Sequence, residues 1–421
     1  MNKLLVVLYP YKFNNFIDKL LEIDEFRKFI NVEIWDLRSI TGKQDSKNSY
    51  HQYDTEINLI PIKSKLNFIT NVIKLRHKSN NAVDVYILNE LDYREPSQLL
   101  CNMILGFILR KSKVQAVELT NGGMPYWYES TDTLNRRSEK SFFQKIYTLF
   151  SEYSTQYVVK TILEYLAGSL GKLSPSITTH TLAAGSQSQS IARDCGRTVK
   201  MVMGHTQDYS NTLLDQIELK PKHVAANAFK DVIYLDQGWP AFPIDPGFGK
   251  FNPLTKNIWY PALNRFFNSL EKSQNTRIRI AGHYKSNYEP QDQHFEMREV
   301  LYGNTKSLIR NCRFVIACYS TSISYAVIFR KPIIFIYTDE YQFDPHLMRH
   351  IFGLAAILGC NPINIDHFSD SISDYLKVDE DKYKYYERTV LTSGVSRRPN
   401  AQIILEDVMG IDTEQEYVNL K

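Results

Sequence analysis

The sequence predicts an α/β protein made of two doubly wound, parallel-sheet domains facing one another across a cleft. Three observations predict it. The stretch from Asn311 to Tyr337, NCRFVIACYSTSISYAVIFRKPIIFIY, reads as two continuous apolar strands joined by a hydroxyl-rich turn and a short helix; such uninterrupted apolar runs belong to parallel sheets buried on both faces. Strand-like and helix-like segments alternate through both halves of the chain. The length, 421 residues, leaves room for two domains of ordinary size. The boundary is placed so that an N-terminal domain covers 1–225 and a C-terminal domain covers 226–421.

In the first half, Leu4 to Tyr9 reads as a strand, Phe16 to Phe29 as a helix and Val32 to Leu37 as a second strand. The opening MNKLLVVLYPYKFNN has an apolar run too short for a signal peptide and lacks a small-residue cleavage site, so it is assigned to the sheet. Strands follow at Val83 to Leu88 and Val114 to Leu119, with an apolar helix between them from Ser97 to Leu109 that ends in Arg110-Lys111-Ser112-Lys113. Asn121-Gly122-Gly123-Met124-Pro125 comes next. Its glycines permit a tight turn or a close backbone approach to a ligand, which makes Gly122 and Gly123 candidate binding positions. From Ser141 to Leu170, Phe143, Tyr147, Phe150, Tyr153 and Tyr157 lie near one helical stripe, expected to pack inward; an interfacial membrane face is the other reading. Ala183 to Ser190 is small and polar, a loop. Val199 to Met203 is a strand, with Gly204-His205 and Asp208-Tyr209 at its carboxyl end.

In the second half, Val232 to Leu235 is a strand ending in Asp236-Gln237-Gly238, and a loop rich in proline and glycine runs from Trp239 to Pro253. A helix (Asn257 to Lys272), a strand (Arg277 to Ala281) ending in Gly282-His283-Tyr284-Lys285, and a helix (Arg298 to Asn311) lead to the strand Phe314 to Cys318. The turn Tyr319-Ser320-Thr321-Ser322 follows, then a strand opened by Lys331-Pro332, a helix (Pro345 to Leu358), a short strand (Pro362 to Asp366) and a helix near Lys382 to Val390. The tail from Val395 is polar and is expected to cross back to the first domain. No internal repeat occurs.

Composition narrows the function. With 50 Lys and Arg against 46 Asp and Glu the net charge is only +4, which argues against a nucleic-acid partner, as does the lack of zinc-finger spacing. The five cysteines, Cys101, Cys195, Cys312, Cys318 and Cys360, are odd in number, widely spaced and free of CxxC. That pattern fits reduced thiols in a cytoplasmic compartment, and neither a disulfide framework nor a metal site. No apolar run reaches the ~18 residues of a membrane span. There is no Walker A loop, complete GxGxxG, GxSxG or HExxH, so no bound cofactor and no metal are expected.

In open parallel sheets, ligands bind beyond the carboxyl ends of the strands. The C-terminal half places Asp236, His283 and Ser320-Thr321-Ser322 at three such ends, and the N-terminal half adds Gly122-Gly123 and His205 with Asp208. Asp236 suits a nucleophile or a general base, or simply a turn cap. His283 suits a phosphate contact or a general acid, or a solvated cap. Lys285 suits phosphate neutralisation. His205 and Asp208 suit an acceptor substrate, or a satisfied polar pair at a domain boundary. Free N–H groups and hydroxyls at Ser320, Thr321 and Ser322 suit a phosphate, or an ordinary helix start.

At these residues the chain resembles bacterial surface-polysaccharide glycosyltransferases of the GT-B type, with two Rossmann-like domains, and in particular the retaining transferases of capsule and lipopolysaccharide assembly that use CMP-activated 3-deoxy-manno-octulosonic acid (Kdo). Three motifs carry the likeness, over roughly 226 to 340. Tyr234-Leu235-Asp236-Gln237, with Pro240 and Phe242-Pro243-Ile244-Asp245 behind it, is similar to the family's Asp-Gln strand end. Ile280-Ala281-Gly282-His283-Tyr284-Lys285-Ser286-Asn287-Tyr288 is similar to its His-Pro motif, with Tyr284 standing where the proline is usual. Gly303-Asn304-Thr305, Tyr319-Ser320-Thr321-Ser322 and Lys331-Pro332 are similar to its Ser-Thr nucleotide motif. The resemblance implies that Asp236 sits at the anomeric centre and acts by double displacement. It implies that His283 meets the CMP phosphate, and that Ser320, Thr321 and Ser322, with Gln237 and Lys285, hold the nucleotide-sugar donor. It further implies a glycan or lipid-linked glycan acceptor and a place at the inner face of the cytoplasmic membrane. Two other functions remain open on the residues: a CDP-polyol phosphotransferase of teichoic-acid type, and a non-catalytic subunit that binds nucleotide sugars.

Overall fold

The computed structural model describes residues 2–42, 59–81, 83–92, 95–120, 166, 177–189, 199–218, 231–241, 254–283, 286, 288–289, 292–343, 345–368 and 371–413. The chain forms two compact units. The first takes in Met1–Gly122, Val159–Pro221 and Arg388–Lys421, and the second takes in Lys222–Glu387.

The first unit holds strands β1 (Asn2–Tyr9), β2 (Asn31–Asp36), β3 (Leu59–Pro61), β4 (Val83–Asn89), β5 (Gln115–Thr120), β6 (Thr178–Ala183) and β7 (Lys200–Met203). They form one sheet in the order β3-β2-β1-β4-β5-β6-β7, parallel throughout. Its helices are α1 (Asn15–Leu20), α2 (Ile23–Arg27), α3 (Arg38–Thr41), α4 (Lys65–Asn80), α5 (Pro96–Leu109) and α6 (Gln207–Glu218). β1 shows why the strand signal is strong: Leu5 and Val7 enter one core and Leu4, Val6 and Leu8 the other. Both faces are covered, so every central position is apolar. The chain builds outward from β1 to β3, returns to β4 beside β1, and builds outward again. The order therefore reverses between β1 and β4, where a doubly wound sheet opens a ligand crevice.

The second unit holds β8 (Asp231–Leu235), β9 (Arg277–Ala281), β10 (Val300–Leu301), β11 (Val315–Ala317), β12 (Ile333–Tyr337) and β13 (Ile363–Asn364), in the order β10-β9-β8-β11-β12-β13. All pairs are parallel, and the order reverses between β8 and β11. The helices are α7 (Lys256–Gln274), α8 (Thr305–Arg310), α9 (Ile323–Ile328), α10 (Pro345–Ile357) and α11 (Glu380–Tyr386). Val315, Ile316 and Ala317 are fully buried; each branched side chain so placed stabilises the fold by about 1.5–3 kcal/mol. α7 buries Trp259, Leu263, Phe266 and Phe267, and Phe267 meets Tyr234 of β8 edge-on at 5.3 Å.

The two doubly wound α/β units are as expected; several elements differ. The helix expected over Phe16 to Phe29 is broken into α1 and α2 at Glu22, whose φ is +57°. The helix expected over Arg298 to Asn311 begins with β10 instead, because Val300 and Leu301 extend the sheet beside Ile280 and Ala281; Gly303, at φ +74°, then turns the chain into α8. β6 ends at Ala183 and a helical turn occupies 186–189, where a loop was expected. The helix expected near Lys382 to Val390 is α11 followed by a π-helical turn, Glu387–Leu391. The helix expected over Ser141 to Leu170 lies outside the described residues except for Leu166.

The tail is less polar than expected. α12 (Asn400–Ile403) runs into a π-helical stretch, Ile404–Val408, and Ala401, Ile403, Ile404, Leu405, Val408 and Met409 join Ile23 and Phe26 in the first unit's core. Glu22 Oε2 accepts the Ala401 N–H at 2.8 Å and Ser210 Oγ accepts the Asn400 N–H at 2.6 Å, so the first two orphan donors of α12 are met.

Candidate functional site

The sheet of the second unit brings three expected groups to one edge. Leu235 is in register with Ala281 of β9 and with Ala317 of β11. Asp236, Gly282 and Cys318 are therefore level, on strands about 4.8 Å apart, with His283 one residue beyond on one side and Ser320 two beyond on the other. β8 and β11 flank the point of reversal, so this edge is the crevice position of a doubly wound sheet.

Asp236 is 4% exposed. Its Oδ2 accepts the His283 N–H at 3.2 Å and its Oδ1 accepts the Tyr288 hydroxyl at 3.1 Å, while the Ser286 hydroxyl, which donates to His283 O at 2.7 Å, stands 3.5 Å from Oδ2. Burial pushes its pKa up to about 6, opposed by hydrogen bonds from the Gly238 and His283 N–H groups, the Tyr288 hydroxyl and the Gln237 N–H. The Tyr288 oxygen lies 3.4 Å from that of Tyr260, which donates to Trp239 O at 3.3 Å, and Tyr260 stacks on His294 at 4.3 Å. Burial, then the Asp236 charge, holds Tyr288 far above the usual phenol range. Both carboxylate oxygens are thus occupied, and Asp236 ties the end of β8 to the chain leaving β9.

The hydroxyl turn is more self-contained than expected. Ser320 Oγ accepts the Ser322 N–H at 3.2 Å. The N–H groups of Ile323, Ser324 and Tyr325 go to the carbonyls of Ser320, Thr321 and Ser322 at 3.3, 3.1 and 3.1 Å. These amides are spent inside the turn, and α9 has only six residues, so the hydroxyls, with Thr321 exposed, are what the turn offers a ligand.

At the corresponding reversal of the first unit stands a residue the sequence reading missed. Glu90 follows β4, and its N–H donates to Leu8 O at 3.2 Å. Its Oε1 is buried and has no hydrogen-bond partner among the described residues. Burial, and then the Glu118 charge, pushes the carboxyl up to about 8. The rule that picked out Asp236, a polar residue just past a buried strand, also points to Glu90.

No family model and no curated protein matches the chain. Among solved structures, it is similar to Phytolacca americana UGT2, solved with UDP-2-fluoro-glucose and pterostilbene, at 9% identity over 97% of this chain and 99% of that one, with a TM-score of 0.49. It is similar to the S. aureus MnaA–UDP structure at 11% identity, 100% and 98% coverage and a TM-score of 0.45. It is also similar to Acinetobacter baumannii MurG at 9% identity, 98% and 100% coverage and a TM-score of 0.40.

The first unit treats His205 differently from the acceptor-side expectation. The ring is fully buried. Nε2 donates to Arg398 O at 3.1 Å, which leaves Nδ1 to accept the Thr392 hydroxyl at 2.7 Å, and burial pushes the pKa down to about 4. Asn400 brackets the backbone, accepting the His205 N–H at 3.0 Å and donating to its carbonyl at 2.9 Å. A neutral ring with both nitrogens used clasps the C-terminal segment and has no nitrogen left for a substrate. Asp208 lies in the first turn of α6, where its carbonyl accepts the Thr212 hydroxyl at 2.8 Å. Gly122, Gly123 and Lys285 lie outside the described residues. Among the described residues, no group of three or more His, Cys, Asp or Glu is placed to hold a metal ion, and no helix is long and apolar enough to cross a membrane.

Proposed function

We propose that the chain is a glycosyltransferase of the GT-B type that moves a CMP-activated ulosonic acid, such as Kdo, onto a surface-glycan acceptor. The observation that carries this reading is the meeting of Asp236, His283 and the Ser320 turn at the reversal between β8 and β11. That edge suits a nucleotide donor, and the three groups sit in the motifs that resemble the CMP-Kdo transferases. The hydroxyls of Ser320, Thr321 and Ser322 hold the nucleotide phosphate, and Gln237 and Lys285 belong to the same donor site. The His283 imidazole meets the leaving phosphate. The bond from the anomeric carbon to the phosphate oxygen breaks, CMP leaves, and the acceptor oxygen bonds to that carbon after losing its proton to a base.

The occupied oxygens of Asp236 fit a positioning role better than a nucleophile's, which needs a free lone pair and an open approach. Its bond to the His283 N–H sets where the imidazole stands.

Turnover with CMP-Kdo, CDP-glycerol and UDP-glucose tests the reading. Release of CMP from CMP-Kdo alone, reduced at least ~100-fold by His283→Ala at unchanged melting temperature, is the expected result. Turnover of CDP-glycerol instead would install the polyol-phosphate reading, and tight CMP binding with no turnover for any acceptor would make the chain a binding subunit.

A further inference from the structure

We propose that Tyr260 and Asn264 of α7 are positioning residues for the transfer: they pin the loops leaving β8 and β9, so that Tyr288 meets Asp236 and Asp236 holds His283. The role rests on the reaction proposed for this edge. Tyr260, Asn264, Asn268 and Glu271 follow one another at spacings of four, four and three, which puts them on one face of the helix. That face grips the chain between β9 and β10. Asn264 is 8% exposed; its Nδ2 donates to His294 O at 2.9 Å and its Oδ1 accepts from Arg298 Nη1 at 3.1 Å. Arg298 also donates to Glu271 Oε2 at 2.7 Å and to Asn268 Oδ1. The Tyr260 ring lies flat on His294, with 10° between the planes. Its hydroxyl, donating to Trp239 O, reaches the chain three residues past Asp236.

The gripped loop is held in a form it would not adopt alone. Gln293 and Glu296 have left-handed backbone, at φ +48° and +55°, a conformation that is costly for residues with a Cβ and is kept only where the surroundings fix it. Phe295 between them packs edge-on against Tyr260 and Tyr288, at 5.5 and 5.0 Å. The fixed loop brings the Tyr288 hydroxyl to Asp236 Oδ1, while Oδ2 accepts the His283 N–H. Each phenol has one proton. Tyr288 spends its own on Asp236 and Tyr260 spends its own on Trp239 O, so packing, and not a shared hydrogen bond, couples the two rings. Tyr260 and Asn264 thus reach the imidazole through Tyr288 and Asp236, with no need to touch the donor.

Asn264→Ala and Tyr260→Phe in the full chain test this. Phe266→Leu is the control, weakening α7 on its other side, where Phe266 meets Phe368. Release of CMP from CMP-Kdo gives kcat and KM, titration calorimetry gives CMP affinity, and hydrogen exchange is followed at the His283 amide. A misplaced imidazole should lower kcat ~10- to 100-fold in Asn264→Ala, with KM and CMP affinity within about two-fold of wild type. Tyr260→Phe, which keeps the stacked ring, should lower kcat by less. In both, His283 should exchange at least ~10-fold faster while Ile280 and Ile316 keep wild-type rates. Phe266→Leu should lower the melting temperature and leave kcat and His283 exchange as they are. Wild-type kcat and His283 exchange in both variants overturn the proposal, as does a rise in KM at unchanged kcat, or a loss that Phe266→Leu reproduces. If Asn264→Ala does not fold, Tyr260→Phe decides alone. A wild-type chain that releases no CMP from CMP-Kdo refutes the reaction instead, and His283 exchange then decides the positioning role by itself.

Discussion

Glu90→Gln isolates one buried proton. The variant keeps the shape and hydrogen-bonding capacity of a neutral carboxylic acid but cannot ionise. In the wild type the carboxyl rises from 4.5 to about 8 on folding, because burial and then Glu118 disfavour its charge. The sign follows directly. Below about 4.5 both folded and unfolded chains hold the proton and the group costs nothing. Between 4.5 and about 8 the unfolded chain has released it while the folded chain retains it, so stability falls as pH rises; above about 8 the loss is complete. At ~1.4 kcal/mol per pKa unit the full effect approaches 5 kcal/mol. Partial contact of the side chain with solvent reduces it to about 2–3 kcal/mol. The assay is denaturant unfolding of both proteins near pH 5 and near pH 9, with hydrogen exchange of the β4 amides assigning the transition to the first unit. The two proteins should be within about 1 kcal/mol at the lower pH, and the variant should gain about 2–3 kcal/mol relative to the wild type at the higher. A stability difference that does not change with pH would show that Glu90 ionises like a surface carboxylate and would refute the burial of its carboxyl.

Three further changes probe other contacts. Tyr288→Phe removes the donor to Asp236 Oδ1, which should cost about 1–3 kcal/mol and move the acid limb of turnover, set by an Asp236 carboxyl already near 6, to higher pH; an unchanged melting temperature and pH profile would contradict the geometry. Gly185→Ala puts a Cβ 2.1 Å from the backbone oxygen of Thr389, which cannot yield, so the first unit should lose at least ~2 kcal/mol and 400–408 should exchange amide hydrogens faster; wild-type stability would refute the close approach. His205→Ala leaves Thr392 and Arg398 without their buried partner and should cost about 3 kcal/mol while CMP affinity stays the same. Loss of turnover at unchanged stability would instead restore His205 as an acid–base group.

The parts of the fold legible in the sequence are those set by burial on both faces. β1 from Leu4, β4 from Val85, β8 from Val232 and β12 are continuous apolar runs, whereas β9, RIRIA, shows the alternation of a half-covered strand. β6 was hidden because TTHTLA opens with four consecutive polar residues, Thr178 to Thr181, and so shows no apolar run. Thr179 spends its hydroxyl on Ala116 O and on the His180 ring, at 3.0 and 2.9 Å, partners that only the folded sheet supplies. β10 was hidden because two residues carry no periodicity. At the site, the strand-end rule found Asp236, His283 and Ser320 because topology forces the carboxyl ends of neighbouring strands together. The same rule misled at His205, since Thr392 and Arg398 return from a segment 187 and 193 residues away. Nor does the sequence show that Tyr288 and Ser286 fold back onto Asp236, because the loop that carries them has no local pattern that fixes its path.

The central claim is that the reversal between β8 and β11 holds a CMP-linked donor. A crystal structure of the chain with CMP bound tests it most directly. The account predicts density for the phosphate within hydrogen-bond distance, about 3 Å, of the His283 ring and of at least one hydroxyl among Ser320, Thr321 and Ser322. Density at any other surface, with this edge left to solvent, would contradict it.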